Sequence, residues 1–321
     1  MFTGGTISMK FDPVTGGAVP AMSGEEILAF DPGLRKICEP VVIDFGKYPG
    51  PHMNPERAWG VSELLRDELK REDIAGAVVT HGTDLIEETA YLLDLRHTSE
   101  KPVCVMGAMR NSSELSYDGP ANLRSAARVA MDEDARGNGV MVVLNQRIHA
   151  ASEATKTDTQ QLETFQSPMF GPLGMVDADR VLFARRLRAR PTIVAGMLET
   201  RVDLVTMYAG ADGKFIDHSR ETGSRGIVIE GTGRGNVPPE ALPAVGRAVE
   251  AGMAVVVASR CPHGRVLDTY AYLGSGRDLR KLGTMFAGTL TAAKARVRLM
   301  VALGASGEMA EVRRLMEMGS Y

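Results

Sequence analysis

The stretch that decides the fold is Ala75-Gly-Ala-Val-Val-Thr-His-Gly-Thr-Asp-Leu-Ile-Glu-Glu-Thr-Ala-Tyr-Leu-Leu93. Its apolar start predicts a buried strand over Ala75–Thr80, and its second half predicts a helix over Leu85–Leu93. Thr83 and Asp84 fall at the helix N-terminus, where free backbone N–H groups can bind an anion or a developing oxyanion. A strand that runs directly into a helix is the repeating unit of α/β proteins.

The same pattern recurs along the chain. Short apolar runs rich in valine predict further strands at Pro102–Met106, Gly139–Leu144, Leu204–Tyr208, Gly226–Glu230 and Ala254–Ala258. Helix starts are marked by the capping box Ser23-Gly-Glu-Glu26 and by Asn54-Pro55, a cap followed by proline at the first helical position. The series predicts an α/β fold with a larger N-terminal and a smaller C-terminal domain, each with a mainly parallel sheet flanked by helices.

The length of 321 residues allows two domains at about 150 residues each. The arginine-rich stretch Ala184-Arg-Arg-Leu-Arg-Ala-Arg190 interrupts the pattern before a second strand-helix series begins. We therefore predict an N-terminal domain over residues 1–183, a solvated linker over 184–200 and a C-terminal α/β domain over 201–321.

The composition argues against several function classes. Lys and Arg (37) are slightly outnumbered by Asp and Glu (40) and do not cluster, so we expect no binding of nucleic acid or of an anionic membrane. No stretch approaches the roughly 20 apolar residues of a membrane span, and no signal-peptide core follows Met1, which predicts a cytoplasmic protein. Cys38, Cys104 and Cys261 lack metal-binding spacing, so no metal site is predicted, and Cys104 is interpreted as a buried core side chain.

Polar residues follow the predicted strands at four places, and ligands of parallel sheets bind beyond the carboxyl ends of the strands. The segments are Thr3-Gly-Gly-Thr-Ile-Ser8, Val79-Thr-His-Gly-Thr-Asp84, Gly107-Ala-Met-Arg110 with Asp118-Gly-Pro-Ala-Asn-Leu123, and Ala154-Thr-Lys-Thr157. Only two residues precede the first segment, so either the chain begins late or its first strand is short. A threonine hydroxyl needs a base to act as a nucleophile, and a lysine held neutral can supply one. Threonine, aspartate and lysine at strand ends therefore indicate acyl transfer.

Each segment also has a purely structural interpretation. Gly-Gly turns are common, and Thr83 and Asp84 are typical helix caps. His81 is interpreted as a structural side chain rather than a catalytic base, and Lys156 taken alone is typical of a protein surface. The first glycine motif lacks both the dinucleotide and the P-loop pattern, which argues against a nucleotide site.

Taken together and in order, these segments resemble the bacterial-type L-asparaginase and glutaminase family. The match covers nearly the whole chain and rests on Thr3-Gly-Gly-Thr-Ile7, His81-Gly-Thr-Asp84, Glu87-Glu-Thr-Ala-Tyr91, Gly107-Ala-Met-Arg110, Asp118-Gly-Pro-Ala-Asn-Leu123, Thr155-Lys-Thr157 and Gly171-Pro-Leu-Gly174. The resemblance implies a threonine amidohydrolase, without cofactor or metal, that releases ammonia from L-asparagine or a related small amide. It implies that Thr6 is the nucleophile and forms an acyl-enzyme. It also implies that Thr83, Asp84 and Lys156 form a linked catalytic set in which Asp84 also holds the substrate's amino group.

The resemblance further implies a substrate-binding shell and an oligomer. Gly82 and Ala108 are the expected backbone contacts, with groups around Thr83 and Ala108 polarising the carbonyl oxygen. Asn236 matches the family position that supports a site from the C-terminal domain. A homodimer or homotetramer is implied, in which the smaller domain of one subunit completes the site of its neighbour.

The sequence departs from the family pattern at three positions. Ala18 stands where the family's mobile loop carries a tyrosine, and Gly50 or a neighbouring proline stands where a serine grips the substrate carboxylate. The neighbour-subunit glutamate has no clear equivalent in residues 265–270. A lost charge-assisted hydrogen bond costs roughly 1.5–3 kcal/mol, so either asparagine binds weakly or the preferred amide differs. Tyr48 or His52 is hypothesised to replace the lost contacts.

Other functions fit parts of the same sequence. The amidase subunit of an archaeal-type tRNA-dependent amidotransferase uses the same core and also lacks the loop tyrosine, but it carries an extra N-terminal domain and works with a partner. A catalytically weak relative that binds an amino acid or amide is the second alternative. A nicotinamide oxidoreductase is disfavoured, because the dinucleotide fingerprint is absent from the sequence.

Overall fold

The computed structural model describes residues 1–319 and divides the chain into two compact units, Met1–Arg190 and Pro191–Tyr321. Each unit carries its own sheet with helices packed against it. The predicted fold class, α/β with a larger first and a smaller second domain, is confirmed.

The first unit contains twelve strands and four α-helices. The strands are β1 (Phe2–Gly4), β2 (Met9–Asp12), β3 (Gly17–Pro20), β4 (Asp44–Tyr48), β5 (Ala77–Thr80), β6 (Val103–Met106), β7 (Val140–Leu144), β8 (Arg147–Ala150), β9 (Thr155–Lys156), β10 (Phe165–Gln166), β11 (Gly174–Val176) and β12 (Val181–Phe183). The helices are α1 (Gly24–Leu28), α2 (Pro55–Glu68), α3 (Ile86–Arg96) and α4 (Gly119–Ala130). Eight strands form one sheet in the order β12-β11-β8-β7-β6-β5-β1-β4.

The centre of this sheet is parallel and buried on both faces. Strands β4, β1, β5, β6 and β7 run parallel, and every residue of β6 and β7 is buried. Cys104 and Met141 belong to one apolar cluster with α4, and their neighbours in sequence point to the opposite face, where α3 contacts β6 and β7. Burial on both faces explains why these strands are continuous valine-rich runs instead of alternating patterns.

The sheet also has an antiparallel extension, which was not predicted from the sequence. Strand β8 pairs antiparallel with β7, β11 with β8, and β12 with β11. The turn between β7 and β8 places Asn145 and Gln146 at positive φ, 46° and 62°. These strands are only three or four residues long, too short for sequence periodicity to reveal them.

The two predicted helix starts have the expected caps. Ser23 and Glu26 form a reciprocal capping box before α1, and the Asn54 side chain accepts a hydrogen bond from the Arg57 N–H at the start of α2. The predicted helix over Leu85–Leu93 begins at Ile86 instead, because a single 3-10 turn over Thr83–Leu85 precedes it.

Arginines of the stretch 184–190 pair with carboxylates of the first unit. Arg185 bonds the carboxylate of Glu153, and Arg190 Nη1 lies 3.3 Å from Asp94 Oδ1. Asp94 is 2% exposed, and burial raises the pKa of its carboxyl to about 6. These pairs attach the arginine-rich stretch to the first unit.

The second unit has a four-stranded parallel sheet in the order β13-β14-β15-β16. Its elements are β13 (Val202–Thr206), β14 (Gly226–Gly231), β15 (Ala254–Ser259), β16 (Met285–Phe286), α5 (Lys214–Glu221), α6 (Leu242–Glu250), α7 (Gly276–Lys281), α8 (Ala292–Ala305) and α9 (Met309–Glu317). The prediction of Leu204–Tyr208 for the first of these strands was wrong by two residues, since β13 pairs with β14 from Val202 onward. Within residues 1–319, no helix is long and apolar enough to span a bilayer.

Candidate active site

Three neighbouring parallel strands end side by side at the site. Strand β1 lies between β4 and β5, so the segments that follow these strands leave the same edge of the sheet. Glycines let the segments approach closely: a Cβ added to Gly5 would lie 2.4 Å from the Gly82 nitrogen, and one added to Gly82 would lie 2.4 Å from the Gly50 Cα. Thr6 and Thr83 directly follow Gly5 and Gly82, so the close approach of the glycines brings the two threonine segments together.

Thr83, Asp84 and Lys156 form one hydrogen-bonded group. Lys156 Nζ lies 3.0 Å from Thr83 Oγ1 and 2.7 Å from Asp84 Oδ1. The lysine side chain is 14% exposed, whereas that of Asp84 is 56% exposed. Lys156 belongs to the two-residue strand β9, which pairs with Phe165 of β10. An amine in contact with both a hydroxyl and a carboxylate can pass a proton between the threonine and its surroundings.

Thr6 begins a 3-10 turn over Thr6–Ser8 and is half-buried. Its hydroxyl has no hydrogen-bond partner within the described part of the chain, unlike that of Thr83. The turn itself is fixed through its backbone, because Ser8 Oγ donates to the Gly5 carbonyl (2.8 Å) and the Tyr117 hydroxyl donates to the Ile7 carbonyl (2.6 Å). The structure thus presents the Thr6 hydroxyl on a rigid turn beside the Thr83 segment.

His81 is buried at the end of β5 and has a structural contact. Its Nδ1 donates to the Gly82 carbonyl oxygen at 2.7 Å, and its Nε2 has no partner among residues 1–319. Burial lowers the pKa of the imidazole to about 4, so the ring is neutral at pH 7. The geometry favours the structural interpretation of this histidine.

Ala108 lies in the loop after β6, against the Thr83 segment. A Cβ added to Gly107 would lie 2.5 Å from the His81 carbonyl oxygen and 3.1 Å from Thr83 Cγ2. Asp118 and Asn122 lie in a sequence motif for which no role was predicted, but both side chains bond to this loop. Asp118 accepts from the Arg110 N–H at 2.9 Å, and Asn122 Nδ2 donates to the Gly107 carbonyl at 3.0 Å. Their motif, Asp118–Leu123, was grouped with Gly107–Arg110 in the sequence, and this grouping was the only sequence sign of the contact.

Asn236 belongs to the second unit and has its contacts there. It ends the turn after β14, where its Oδ1 accepts from the Gly276 N–H at 3.3 Å. It lines a cavity of about 450 Å³ together with Arg234, Arg265 and the stacked rings of Tyr270 and Tyr272.

The positions that depart from the family pattern have distinct surroundings. Ala18 pairs with Phe11 in the hairpin formed by β2 and β3, which follows the Thr6 turn. A Cβ added to Gly50 would lie 3.3 Å from Asp84 Oδ2, so the glycine leaves space beside that carboxylate. Tyr48 stacks under the Arg57 guanidinium, at 4.2 Å from the ring centroid, and His52 is exposed. Among residues 1–319, no cluster of three or more His, Cys, Asp or Glu side chains has the arrangement of a metal site.

Comparison with known proteins covers both units. A family model described as "Asparaginase, N-terminal" matches residues 1–189, and one described as "Glutaminase/Asparaginase C-terminal domain" matches residues 201–316. The L-asparaginase of Bacillus licheniformis is 35% identical over 95% of this chain and 95% of that protein. A glutamyl-tRNA(Gln) amidotransferase subunit of Pyrococcus furiosus is 33% identical over 98% of this chain and 73% of that protein.

The fold has a match among solved structures as well. The crystal structure of a probable cytoplasmic L-asparaginase from Campylobacter jejuni superposes with a TM-score of 0.87 at 30% identity, covering 98% of this chain and 97% of that one. Since family models match both parts of the sequence and relatives span nearly all of it, the chain belongs to the asparaginase family.

Proposed function

We propose that this protein hydrolyses the side-chain amide of L-asparagine, or of a closely related small amide, and releases ammonia. The observation that carries the proposal is the contact of Lys156 Nζ with both Thr83 Oγ1 and Asp84 Oδ1. This group lies beside a second threonine, Thr6, at the carboxyl edge of the sheet. The Bacillus and Campylobacter relatives are both described as L-asparaginases, which supports the choice of substrate.

The reaction consists of two acyl transfers. Thr6 Oγ attacks the amide carbon, its proton passes to the leaving nitrogen, and the C–N bond breaks to release ammonia. The resulting ester joins the acyl group to Thr6. Water then adds to the ester carbon, the C–O bond breaks, and aspartate leaves as the Thr6 hydroxyl regains its proton.

The remaining residues assist these transfers. The Thr83 hydroxyl and Lys156 amine form the path along which a proton moves, and Asp84 balances the charge of the amine. Backbone N–H groups at Gly82 and Thr83 start a helical turn and stabilise the negative charge on the carbonyl oxygen in the transition state. Asp84 is also the acceptor for the substrate's amino group, because its side chain is more than half exposed.

The first experiment is ammonia release from L-asparagine, L-glutamine, D-asparagine and small peptide amides. Thr6→Ala is expected to lower kcat by about 10⁴-fold or more, because the nucleophile is lost. Ser125→Ala serves as the control, since that buried hydroxyl bonds only to the Ala121 carbonyl within α4. No release from any substrate would contradict the proposal and favour a protein that only binds an amide.

The nucleophile is assigned by trapping the acyl group. Rapid acid quenching during turnover, followed by peptide mass spectrometry, is expected to find the added mass on the peptide that contains Thr6. The contact with Lys156 makes Thr83 the alternative carrier. Acylation of the Thr83 peptide would therefore exchange the roles of the two threonines.

We further propose a homodimer or homotetramer in which Asn236 supports a neighbour's site. Light scattering after size exclusion measures the assembly. Co-refolding of Thr6→Ala with Asn236→Ala chains is expected to restore part of the activity, because some mixed sites contain both native residues. No restoration, or a monomer, would contradict a shared site. A cytoplasmic location is proposed from the description of the Campylobacter neighbour, and cell fractionation tests it.

A second candidate is the amidase subunit of a tRNA-dependent amidotransferase. The 33% identity to the Pyrococcus protein favours it. Such a subunit is expected to co-purify with a partner protein or tRNA, and to release ammonia efficiently only in their presence. Full activity of the chain alone on free asparagine would favour the simple amidohydrolase.

A further inference from the structure

The loop that carries Ala108 is held by two side chains of helix α4. The Asp118 carboxylate accepts from the Met109 N–H (3.1 Å) and the Arg110 N–H (2.9 Å). Asn122 Nδ2 donates to the Gly107 carbonyl (3.0 Å) and to Asp118 Oδ2 (2.9 Å). Asp118 and Asn122 thus hold both peptide groups that flank Ala108, and we call this pair of side chains the clamp.

Asn122 uses every polar atom of its side chain in this arrangement. Besides the two bonds from Nδ2, its Oδ1 accepts from the Asn145 N–H at 2.9 Å. Only one orientation of the amide gives each partner its correct donor or acceptor. The side chain is 4% exposed, so it is a fixed part of the structure.

The clamp determines where the backbone groups of Ala108 point. A trans peptide directs its C=O and N–H oppositely, and residues 1–319 contain no cis peptide bond. Because the Gly107 C=O points to Asn122, the Ala108 N–H points away from it. Because the Met109 N–H points to Asp118, the Ala108 C=O points away from that carboxylate.

Both polar groups of Ala108 are left without a hydrogen-bond partner inside the described chain, although the residue is buried. Unpaired backbone groups in a buried residue are rare in native proteins. The loop also lies beside Thr83, because a Cβ added to Gly107 would lie 3.1 Å from Thr83 Cγ2. A primary carboxamide offers N–H donors, so its NH₂ group matches the free Ala108 carbonyl.

We propose that Asn122 and Asp118 are positioning residues that aim the Ala108 carbonyl at the leaving NH₂ of the substrate amide. The inference rests on the proposed amidohydrolase function. It makes the enzyme selective for amides over esters, because an ester has no N–H to donate to this carbonyl. Neither residue touches the reacting atoms, and both act through the Ala108 loop.

The test compares L-asparagine with the β-methyl ester of L-aspartate. Asn122→Leu is expected to lower kcat/KM for the amide at least tenfold more than for the ester. Asp118→Ser provides a second variant, since serine is a favoured residue at the N-cap position of α4 but cannot accept from both loop N–H groups. Ser125→Ala on the same helix is the control, and it should leave kcat/KM unchanged for both substrates.

The outcomes separate positioning from simple damage. Equal losses of kcat/KM on amide and ester, or no loss, in the folded variants would overturn the positioning role of these residues. A general structural defect lowers the activity on both substrates alike. If Asn122→Leu fails to fold, the ratio of kcat/KM for the amide to kcat/KM for the ester in Asp118→Ser tests the proposal. A native protein that hydrolyses neither substrate would overturn the proposed function itself, while native hydrolysis with an unchanged ratio in the variants overturns only this inference.

Discussion

The two threonines at the carboxyl edge of the sheet are held in different ways. The Thr83 hydroxyl is bonded through its side chain, to a lysine that also bonds Asp84. The Thr6 hydroxyl has no bond within residues 1–319, and its turn is fixed through the backbone, where the Gly5 and Ile7 carbonyls accept from Ser8 and Tyr117. A bonded hydroxyl suits proton transfer, whereas a free hydroxyl on a rigid turn suits attack on a substrate.

The two threonine regions are also expected to contribute differently to the folding stability of the first unit. The Thr83 group includes a half-exposed carboxylate, so its ion pair contributes little to folding. The Thr6 turn, in contrast, depends on glycine contacts and on the half-buried Tyr117 hydroxyl, which stabilise the backbone. We therefore expect substitutions in the two regions to have different ratios of lost activity to lost stability.

After the loss of the Thr6 hydroxyl itself, the largest expected effect on activity is that of Lys156→Met. Loss of the proton path should lower kcat by roughly 10²–10⁴-fold, while the free energy of unfolding changes by less than about 1 kcal/mol. Steady-state ammonia release and urea unfolding measure the two quantities. Lys70→Met is the matched control, because Lys70 pairs with Asp67 at 2.8 Å on the surface, away from the site. A large loss of stability with unchanged kcat would reverse the comparison.

Gly5→Ala is expected to damage the contact between the two regions. Gly5 has φ of 81°, and the added methyl group would lie 2.4 Å from the Gly82 nitrogen. Gly16→Ala is the control, since φ is 70° but no atom lies within 4 Å of the added carbon. We expect Gly16→Ala to cost about 1–2 kcal/mol from backbone conformation alone, and Gly5→Ala to cost several kcal/mol. Similar losses from both substitutions, measured by urea unfolding, would show that the glycine contact has no role.

The third effect concerns pH and His81. Its pKa is lowered from 6.5 to about 4 in the folded chain, so the unfolded chain binds more protons between these values. The stabilisation from the neutral ring is present above pH 6.5 and is lost as pH falls through 4. At about 1.36 kcal/mol per pKa unit, the full change is about 3 kcal/mol.

Urea unfolding at several pH values between 4 and 7 measures this dependence. His81→Asn should flatten the acid slope relative to the native chain, while the exposed His52→Gln should leave it unchanged. An unchanged slope in His81→Asn would mean that other groups account for the acid sensitivity.

The smallest effect is expected from Tyr117→Phe. This change removes the hydrogen bond to the Ile7 carbonyl and should cost about 1 kcal/mol of stability. A looser turn should also lower kcat/KM for asparagine by a few-fold. Tyr208→Phe is the control, because that ring is 45% exposed and lies in the second unit. Unchanged kinetics would indicate that the glycine contacts alone position Thr6.

Much of the fold was accessible from the sequence. The strand cores at β5, β6 and β7 are continuous apolar runs, because a parallel strand covered on both faces has no polar side. The caps at Ser23 and Asn54 were equally clear, since their hydrogen bonds involve residues only three positions away. The antiparallel strands β8, β11 and β12 were missed, because each is only three or four residues long and its pairing partners are determined by the sheet.

The site was accessible in part. The residues Thr83, Asp84 and Lys156 were identified as a set through the family resemblance, and the structure brings them within hydrogen-bond distance. The hydrogen bond from Asn122 to the Ala108 loop was not predicted, although Asn122 and the loop belong to two of the motifs on which the resemblance rests. Sequence order carries no information about which backbone carbonyl an asparagine on a later helix reaches.

By itself, the sequence determined the α/β class, the parallel strands and the kinds of residue at their carboxyl ends. Those features depend on burial and on local hydrogen bonds, which act over a few residues. Only the tertiary structure decided that β1 lies between β4 and β5, that Lys156 reaches a threonine 73 residues away, and that Gly5, Gly50 and Gly82 touch. These contacts join distant parts of the chain, so they exist only once the strands have been ordered and packed into one sheet.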